Sequence, residues 1–388
     1  MSSIYAVDRN GKLKTLEALF LGACMLPFII PNPIAATNIQ PYSVLLGLLV
    51  ILWEALCQDN SNLHGKLGFV VVSWLTLFVA MIVLVFSGIT ISAFRALFNY
   101  CAVAIVPLAA YMVLCRIKTF PEKFVKALIL FWFAVATVQF FVNRHFLTGI
   151  IAGANVSNSY RGVVGLASEP SFLGIACFYF LHMTRKFQKN KALFFVLILT
   201  MGIVYAQSMM GLMFIGAFLA VFLLDMANSK RGLYIWLISI AAVIVFIFLL
   251  NTVLVDTRLY ELFERFQEGG VDSVLDDASA ETRFNSVKDA LAMSFGNYLL
   301  PLGFKARIGS GYGGFLCELG LFALPILWCI SFVMTRTFKK TVCRVLYFVL
   351  ITILLFNNTQ IGNPLLLLVL AMNIADMSQE SQQKTAGG

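Results

Sequence analysis

Twelve apolar runs, separated mostly by short polar connections, leave this chain few ways to fold. They cover residues 14–31, 42–57, 67–87, 95–115, 124–142, 169–184, 191–207, 209–225, 233–254, 312–334, 343–357 and 364–376. A helix that crosses a bilayer needs about 20 apolar residues, with a range of roughly 17–25, because hydrocarbon offers its backbone no outside hydrogen-bond partners. The composition agrees. Hydrophobic residues make up 60% of the chain and charged residues 12%, where a soluble domain carries roughly 25% charged residues. The expected fold is an all-α polytopic membrane protein of about 12 transmembrane helices. Residues 1–376 form one transmembrane domain, interrupted by a large, partly helical outer loop at 255–311, and 377–388 form a short cytoplasmic tail expected to be disordered.

Lysine and arginine mark the cytoplasmic side of a membrane protein. With the N-terminus inside, the inner segments carry basic residues at 9–14, 66, 116–126, 185–191, 230–231, 336–344 and 384. The basic residues outside that set are Arg95, Arg144, Arg161, Arg258, Arg265, Arg283, Lys288, Lys305 and Arg307, most of them in the long segment 255–311. Both termini are therefore expected in the cytoplasm. The net charge of +9 follows membrane topology and does not point to nucleic acid. The eight cysteines lie in apolar runs or on the inner side without CxxC spacing, so neither a disulfide framework nor a metal site is expected. The first run follows a basic head and lacks a small-residue cleavage pattern, which reads as an uncleaved span.

Two outer segments break the pattern of tight connections. The first, 143–168, is rich in Gly, Asn and Ser. In the second, 255–311, Leu259, Leu262, Phe263 and Phe266 recur at helical spacing, as in an amphipathic helix lying on the membrane surface. A break at Gly269-Gly270 and an acidic turn precede a second helix starting near Ser279. The segment closes on Pro301-Leu302-Gly303 and a glycine-rich stretch at 309–314. That stretch lacks the strand and lysine of a nucleotide-binding P-loop, and reads as an anion nest or as close helix packing.

Glu169 is the leading candidate for chemistry. Ser168-Glu169-Pro170 is a helix-start signature. From there to the basic cluster at Arg185 is about 16 residues, or roughly 24 Å of helix, against a hydrocarbon core of about 30 Å. Glu169 is thus expected below the outer surface in a watery pocket, where an ionisable group marks function; the alternative is a carboxylate that complements the helix dipole. Arg161 and Arg283 offer donor forks suited to phosphate oxygens, or else snorkel or pair with loop carboxylates. Lys305, Arg307 and Arg144 are lesser candidates for phosphate binding. Tyr160, Tyr312 and Asn358 suit sugar hydroxyls, and His145, the one histidine expected outside, is a further candidate for substrate binding. Glu54, near the inner side, reads as a snorkelling or packed carboxylate.

The block Arg283-Phe-Asn-Ser-Val, Pro301-Leu-Gly303-Phe, Gly311 and Glu318-Leu-Gly320-Leu-Phe resembles the C-terminal region of Wzy-type O-antigen and capsule repeat-unit polymerases. The segment 165–174, Gly-Leu-Ala-Ser-Glu-Pro-Ser-Phe-Leu-Gly, also looks like one found in these polymerases. The resemblance implies a GT-C-like membrane glycosyltransferase architecture in the bacterial cytoplasmic (inner) membrane. It implies transfer of a growing glycan from undecaprenyl diphosphate to a new lipid-linked repeat unit, without metal, nucleotide or other cofactor. The family's two loop arginines correspond to Arg161 and Arg283, although the arginine-to-glycine spacings differ from the family pattern. Lipid-linked repeat units, membrane lipids and a chain-length regulator are the implied partners. The related O-antigen ligases carry a histidine in the large outer loop, which 255–311 lacks. A lipid-linked oligosaccharide flippase or other transporter is the alternative from a different class, but such proteins show two comparable halves and modest loops.

Overall fold

The computed structural model describes residues 13–30, 39–57, 68–88, 90–117, 119–156, 162–226, 258–275, 278–304, 310–357 and 359–386. Each expected apolar run forms helix over at least part of its length, save 233–254, which lies outside the described residues. The first half contains α1 (Thr15–Met25), α2 (Tyr42–Cys57), α3 (Gly68–Ser87), α4 (Ile91–Ile117), α5 (Glu122–Phe141) and α6 (Pro170–Thr184). Next come α7 (Lys191–Leu199), which runs on as a π-helical turn (Thr200–Tyr205), and α8 (Met209–Met226). The loop helices are α9 (Arg258–Leu275) and α10 (Ala278–Gly296); then follow α11 (Gly311–Leu319), α12 (Leu324–Thr335), α13 (Thr341–Phe356) and α14 (Pro364–Ala386). Among the described residues the only β-type pairing is an isolated antiparallel bridge between Ile29 and Ile151.

Five stretches are long and apolar enough to cross a membrane: Gly68–Ser87, Ala93–Ile117, Glu122–Phe141, Met209–Met226 and Gly311–Thr335. Six further apolar helices are shorter. α3 shows what solvent these helices are built for. It buries Phe69, Ser73, Thr76, Leu77, Ala80, Val83 and Leu84. Its opposite stripe, Val71, Trp74, Leu75, Phe78, Ile82 and Val85, is exposed. A soluble helix places charges on that face; here it is as apolar as the core, as lipid contact requires.

Charged side chains pair at one end of the bundle. Arg116 binds Glu17 through two nitrogens and lies 3.8 Å from Glu54. Lys126 pairs with Glu122 at 2.5 Å, Arg185 with Asp225 at 3.4 Å, and Lys186 with Asp376. Asp225 also accepts from the backbone N–H groups of Lys339 and Lys340. These contacts join α1, α2 and α4 in one group and the end of α6 with α8 and α14 in another; Glu122 of α5 also accepts from the N–H groups of Gln188 and Lys189 after α6. The opposite, loop end is stitched by backbone bonds. Ile30 N–H donates to the Ile150 carbonyl at 2.8 Å, Ala152 N–H to Phe28 at 2.8 Å, and Gly311 N–H to Asn357 at 2.9 Å.

Three boundaries differ from expectation. The first apolar run stops being helical at Met25, and residues 28–30 turn to pair with 150–152. The run 312–334 is not one straight helix: it folds back at Gly320, whose φ of 59° and ψ of −138° end α11. The Tyr312 hydroxyl accordingly reaches the Leu327 carbonyl at 3.0 Å, although those residues would stand about 22 Å apart along a straight helix. The tail expected to be disordered from residue 377 continues α14 to Ala386. Tyr111 bonds Ser378 at 3.2 Å and anchors the start of that extension.

Candidate functional site

The segment 162–168 reaches α6 over a bed of backbone contacts. Gln139, in the last turn of α5 and 2% exposed, clamps it. Its Oε1 accepts from the Gly165 N–H at 2.7 Å, while Nε2 donates to the Gly165 carbonyl at 2.9 Å and to the Phe146 carbonyl at 2.8 Å. Val163 N–H donates to the Tyr205 carbonyl at 2.8 Å, where the π-helical turn ends. A methyl group at Gly162 would overlap the Ala206 carbonyl, so only glycine allows that approach. Arg144, half-buried, donates from Nη2 to the Gly162 carbonyl at 3.1 Å. Burial pulls its guanidinium below the ordinary arginine value.

This clamp delivers Glu169 to the start of α6. Its extended backbone (φ −145°, ψ 156°) is that of an N-cap, and Pro170 takes the first helical position, where its missing N–H costs nothing. The Glu169 side chain is half-buried and accepts from Ser171 Oγ at 3.2 Å. It makes no side-chain bond to the helix backbone. Beside it the Ser168 hydroxyl is fully buried and has no hydrogen-bond partner. The site therefore presents a carboxylate held by one weak hydroxyl contact, next to a second, uncommitted hydroxyl.

Arg283 arrives from α10. Its Nη1 lies 3.3 Å from the sulfur of Met210, in the first turn of α8. The next residue, Gly211, packs on Gly174 of α6; an added Cβ on either would lie 2.6–2.7 Å from the other's Cα. Arg283 is thus attached to the same α6–α8 crossing that Glu169 caps, one helical turn and a half further along. Arg161, Tyr160, Lys305, Arg307 and Asn358 lie outside the described residues. His145 is exposed at the loop end, with its N–H bonded to Asn143 Oδ1 at 3.0 Å.

Tyr312 takes a different place from the one expected. It is 1% exposed, and its hydroxyl is committed to Leu327 and to Ser331 Oγ at 2.8 Å. It holds the α11–α12 bend and has no free face for a sugar. The glycine-rich start of α11 is packing as well. Ala290 and Ser294 of α10 press against it, with Ser294 and the Ala290 carbonyl each 3.3 Å from Cys317 Sγ. A methyl on Gly313 would come within 2.7 Å of Ala290 Cβ.

Two buried polar clusters complete the interior. Glu318, 5% exposed, accepts from the Tyr100 hydroxyl at 2.5 Å. His182 bonds Thr337 Oγ1 at 2.8 Å and the Tyr347 hydroxyl at 2.7 Å, with Asn373 donating to Thr337 at 3.2 Å. Among the described residues no three His, Cys, Asp or Glu side chains are grouped as metal ligands. Compared with protein-family models, curated proteins and solved structures, the chain has no match.

Proposed function

We propose that the chain is a membrane polysaccharide polymerase of Wzy type, acting at the outer face of a bacterial cytoplasmic membrane. On this reading the loop end faces outward, both termini lie in the cytoplasm, and the helices belong to a GT-C-like glycosyltransferase architecture. The observation that carries it is the joint placement of Glu169 and Arg283 on one helix crossing at the loop end, together with the family-like motifs around both. A weakly held carboxylate and a guanidinium brought to the same crossing are the two groups that glycosyl transfer from a lipid diphosphate needs.

Arg283, with Arg161, binds the undecaprenyl diphosphate of the growing chain, since a guanidinium fork matches phosphate oxygens. Glu169 accepts the proton of the acceptor hydroxyl as that oxygen bonds to the anomeric carbon. The bond from the anomeric carbon to the diphosphate oxygen breaks, and the electron pair leaves with the diphosphate. The arginines stabilise the charge developing there. Ser171 and Ser168 orient Glu169 or the incoming sugar. The donor's own diphosphate drives the transfer, so the chemistry calls for no nucleotide.

Purified protein given lipid-linked repeat units, with product length followed on a gel, tests the reading. A ladder of products is expected from the wild type, and none from Glu169→Gln or Arg283→Ala at unchanged melting temperature. A full ladder from Glu169→Gln would remove that residue from the mechanism. Movement of the lipid across a bilayer without new glycosidic bonds would replace the polymerase with a flippase.

A further inference from the structure

The hairpin between α7 and α8 is irregular in two ways. A π-helical turn, Thr200–Tyr205, leads into it, and such turns gather at functional sites. Gln207 at its tip then has a φ of 43°, in the left-handed region where any side chain is strained. Among the described residues five non-glycine residues have positive φ, and Gln207 alone of them is buried, at 7% exposure. Its neighbours hold the backbone in place. Ala206 N–H donates to the Met201 carbonyl at 3.0 Å, Val163 N–H to the Tyr205 carbonyl at 2.8 Å, and Leu212 N–H to the Ser208 carbonyl at 2.9 Å. The Gln207 amide itself bonds none of the described residues, and it is not sealed off as the Ser168 hydroxyl is. A mostly buried amide that keeps an opening and lacks a partner is set up to meet one from outside the fold.

The register of two helices sets that opening beside Glu169. α6 and α8 run in the same direction, touching at Gly174 and Gly211 and again further on through Arg185 and Asp225. Gln207 precedes Gly211 by four residues, and Pro170 precedes Gly174 by four. Both stand roughly one helical turn to the loop side of the contact. Gln207 is therefore level with Glu169 and Ser171, and Met210, which Arg283 touches, lies within a turn of it. We infer that Gln207 binds the acceptor sugar, its amide accepting from one ring hydroxyl and donating to a neighbouring oxygen. This rests on the polymerase reading and adds to it a residue that selects the acceptor, next to the hydroxyl whose proton Glu169 takes. Glycine would relieve the strain at this position but has no amide to offer.

Two variants of the full chain separate acceptor binding from a structural role. Gln207→Gly removes the strain and the amide together, while Gln207→Met keeps the length of the side chain without its hydrogen bonds. With lipid-linked repeat units as substrate and ladder formation as the readout, both variants should raise KM for the repeat unit about tenfold, as loss of an amide's hydrogen bonds implies. Their kcat should stay near the wild-type value, the pattern of lost ground-state binding. Gln207→Gly should also melt at or above the wild-type temperature, because the left-handed strain is gone. A wild-type KM in both variants overturns the inference and leaves the polymerase reading standing. A lower melting temperature in Gln207→Gly, or its failure to fold, with a wild-type KM in Gln207→Met, likewise overturns it and makes Gln207 a structural residue. A wild type that forms no ladder removes the polymerase reading, and this inference with it.

Discussion

Gln139 fixes the 162–168 segment more firmly than any charged residue near it. One buried amide satisfies the N–H and C=O of Gly165 and the C=O of Phe146. Leucine in its place would leave those three backbone groups without partners in an apolar surround. Gln139→Leu is therefore expected to destabilise the protein by on the order of 2–4 kcal/mol and, under the proposed function, to abolish polymer synthesis even where folded protein is recovered. Thermal unfolding in detergent and the product ladder check the two halves of that expectation. Full activity with unchanged unfolding would show that the segment holds its shape without the clamp. Half of this was legible in the sequence. A lone glutamine in the run 124–142 stands out as polar, as does Glu169 before Pro170. The partners of Gln139 were not legible, because they are main-chain atoms and any residue at 146 or 165 carries the same carbonyl. Tyr312 shows the same limit: a tyrosine beside glycines looks available in the sequence, while the partners of its hydroxyl, Leu327 and Ser331, lie 15 and 19 residues further on.

At the scale of elements, hydropathy finds spans but not bends. Gly311–Thr335 is apolar on average, with Glu318 its one charged residue, so its pattern predicts one helix. The break comes from Gly320, whose positive φ disfavours any other residue and whose missing side chain admits the backbone of 299–301. Leu321 N–H then bonds the Leu299 carbonyl at 2.8 Å, which fastens the bend to the end of α10. Gly320→Ala should cost at least about 2 kcal/mol, combining left-handed strain with overpacking against main chain that cannot move aside. Gly216 supplies the control, since it sits in mid-α8 with nothing within 4 Å of an added Cβ. Gly216→Ala should be neutral or stabilising by about 0.5–1 kcal/mol. Equal melting temperatures for the two variants would mean that the bend is not set by Gly320. The same steric reasoning explains how glycines at 174 and 211, unremarkable in the sequence, bring α6 and α8 into close contact next to Met210, which Arg283 touches.

At the scale of the molecule, the two ends differ in kind, and that difference carries the orientation. The ion pairs Glu17–Arg116, Glu122–Lys126, Arg185–Asp225 and Lys186–Asp376 gather where the short basic connections meet. The other end holds Arg144, His145 and the clamped loop before Glu169. Arginine and lysine in short loops resist translocation, so the basic end should face the cytoplasm. Single cysteines placed on a cysteine-free background test this against a membrane-impermeant maleimide. His145→Cys and Asn155→Cys, both exposed at the loop end, should label in intact spheroplasts. Lys189→Cys and Lys339→Cys, exposed at the charged end, should label only after permeabilisation. The reverse pattern would invert the protein and move Glu169 to the cytoplasmic face, where lipid-linked repeat units are assembled rather than joined. Labelling of all four positions from one side would undo the bundle's two-ended topology itself. Because the polymerase reading requires Glu169 to meet its substrates outside, this labelling pattern is a condition the proposed chemistry must satisfy before any activity is measured.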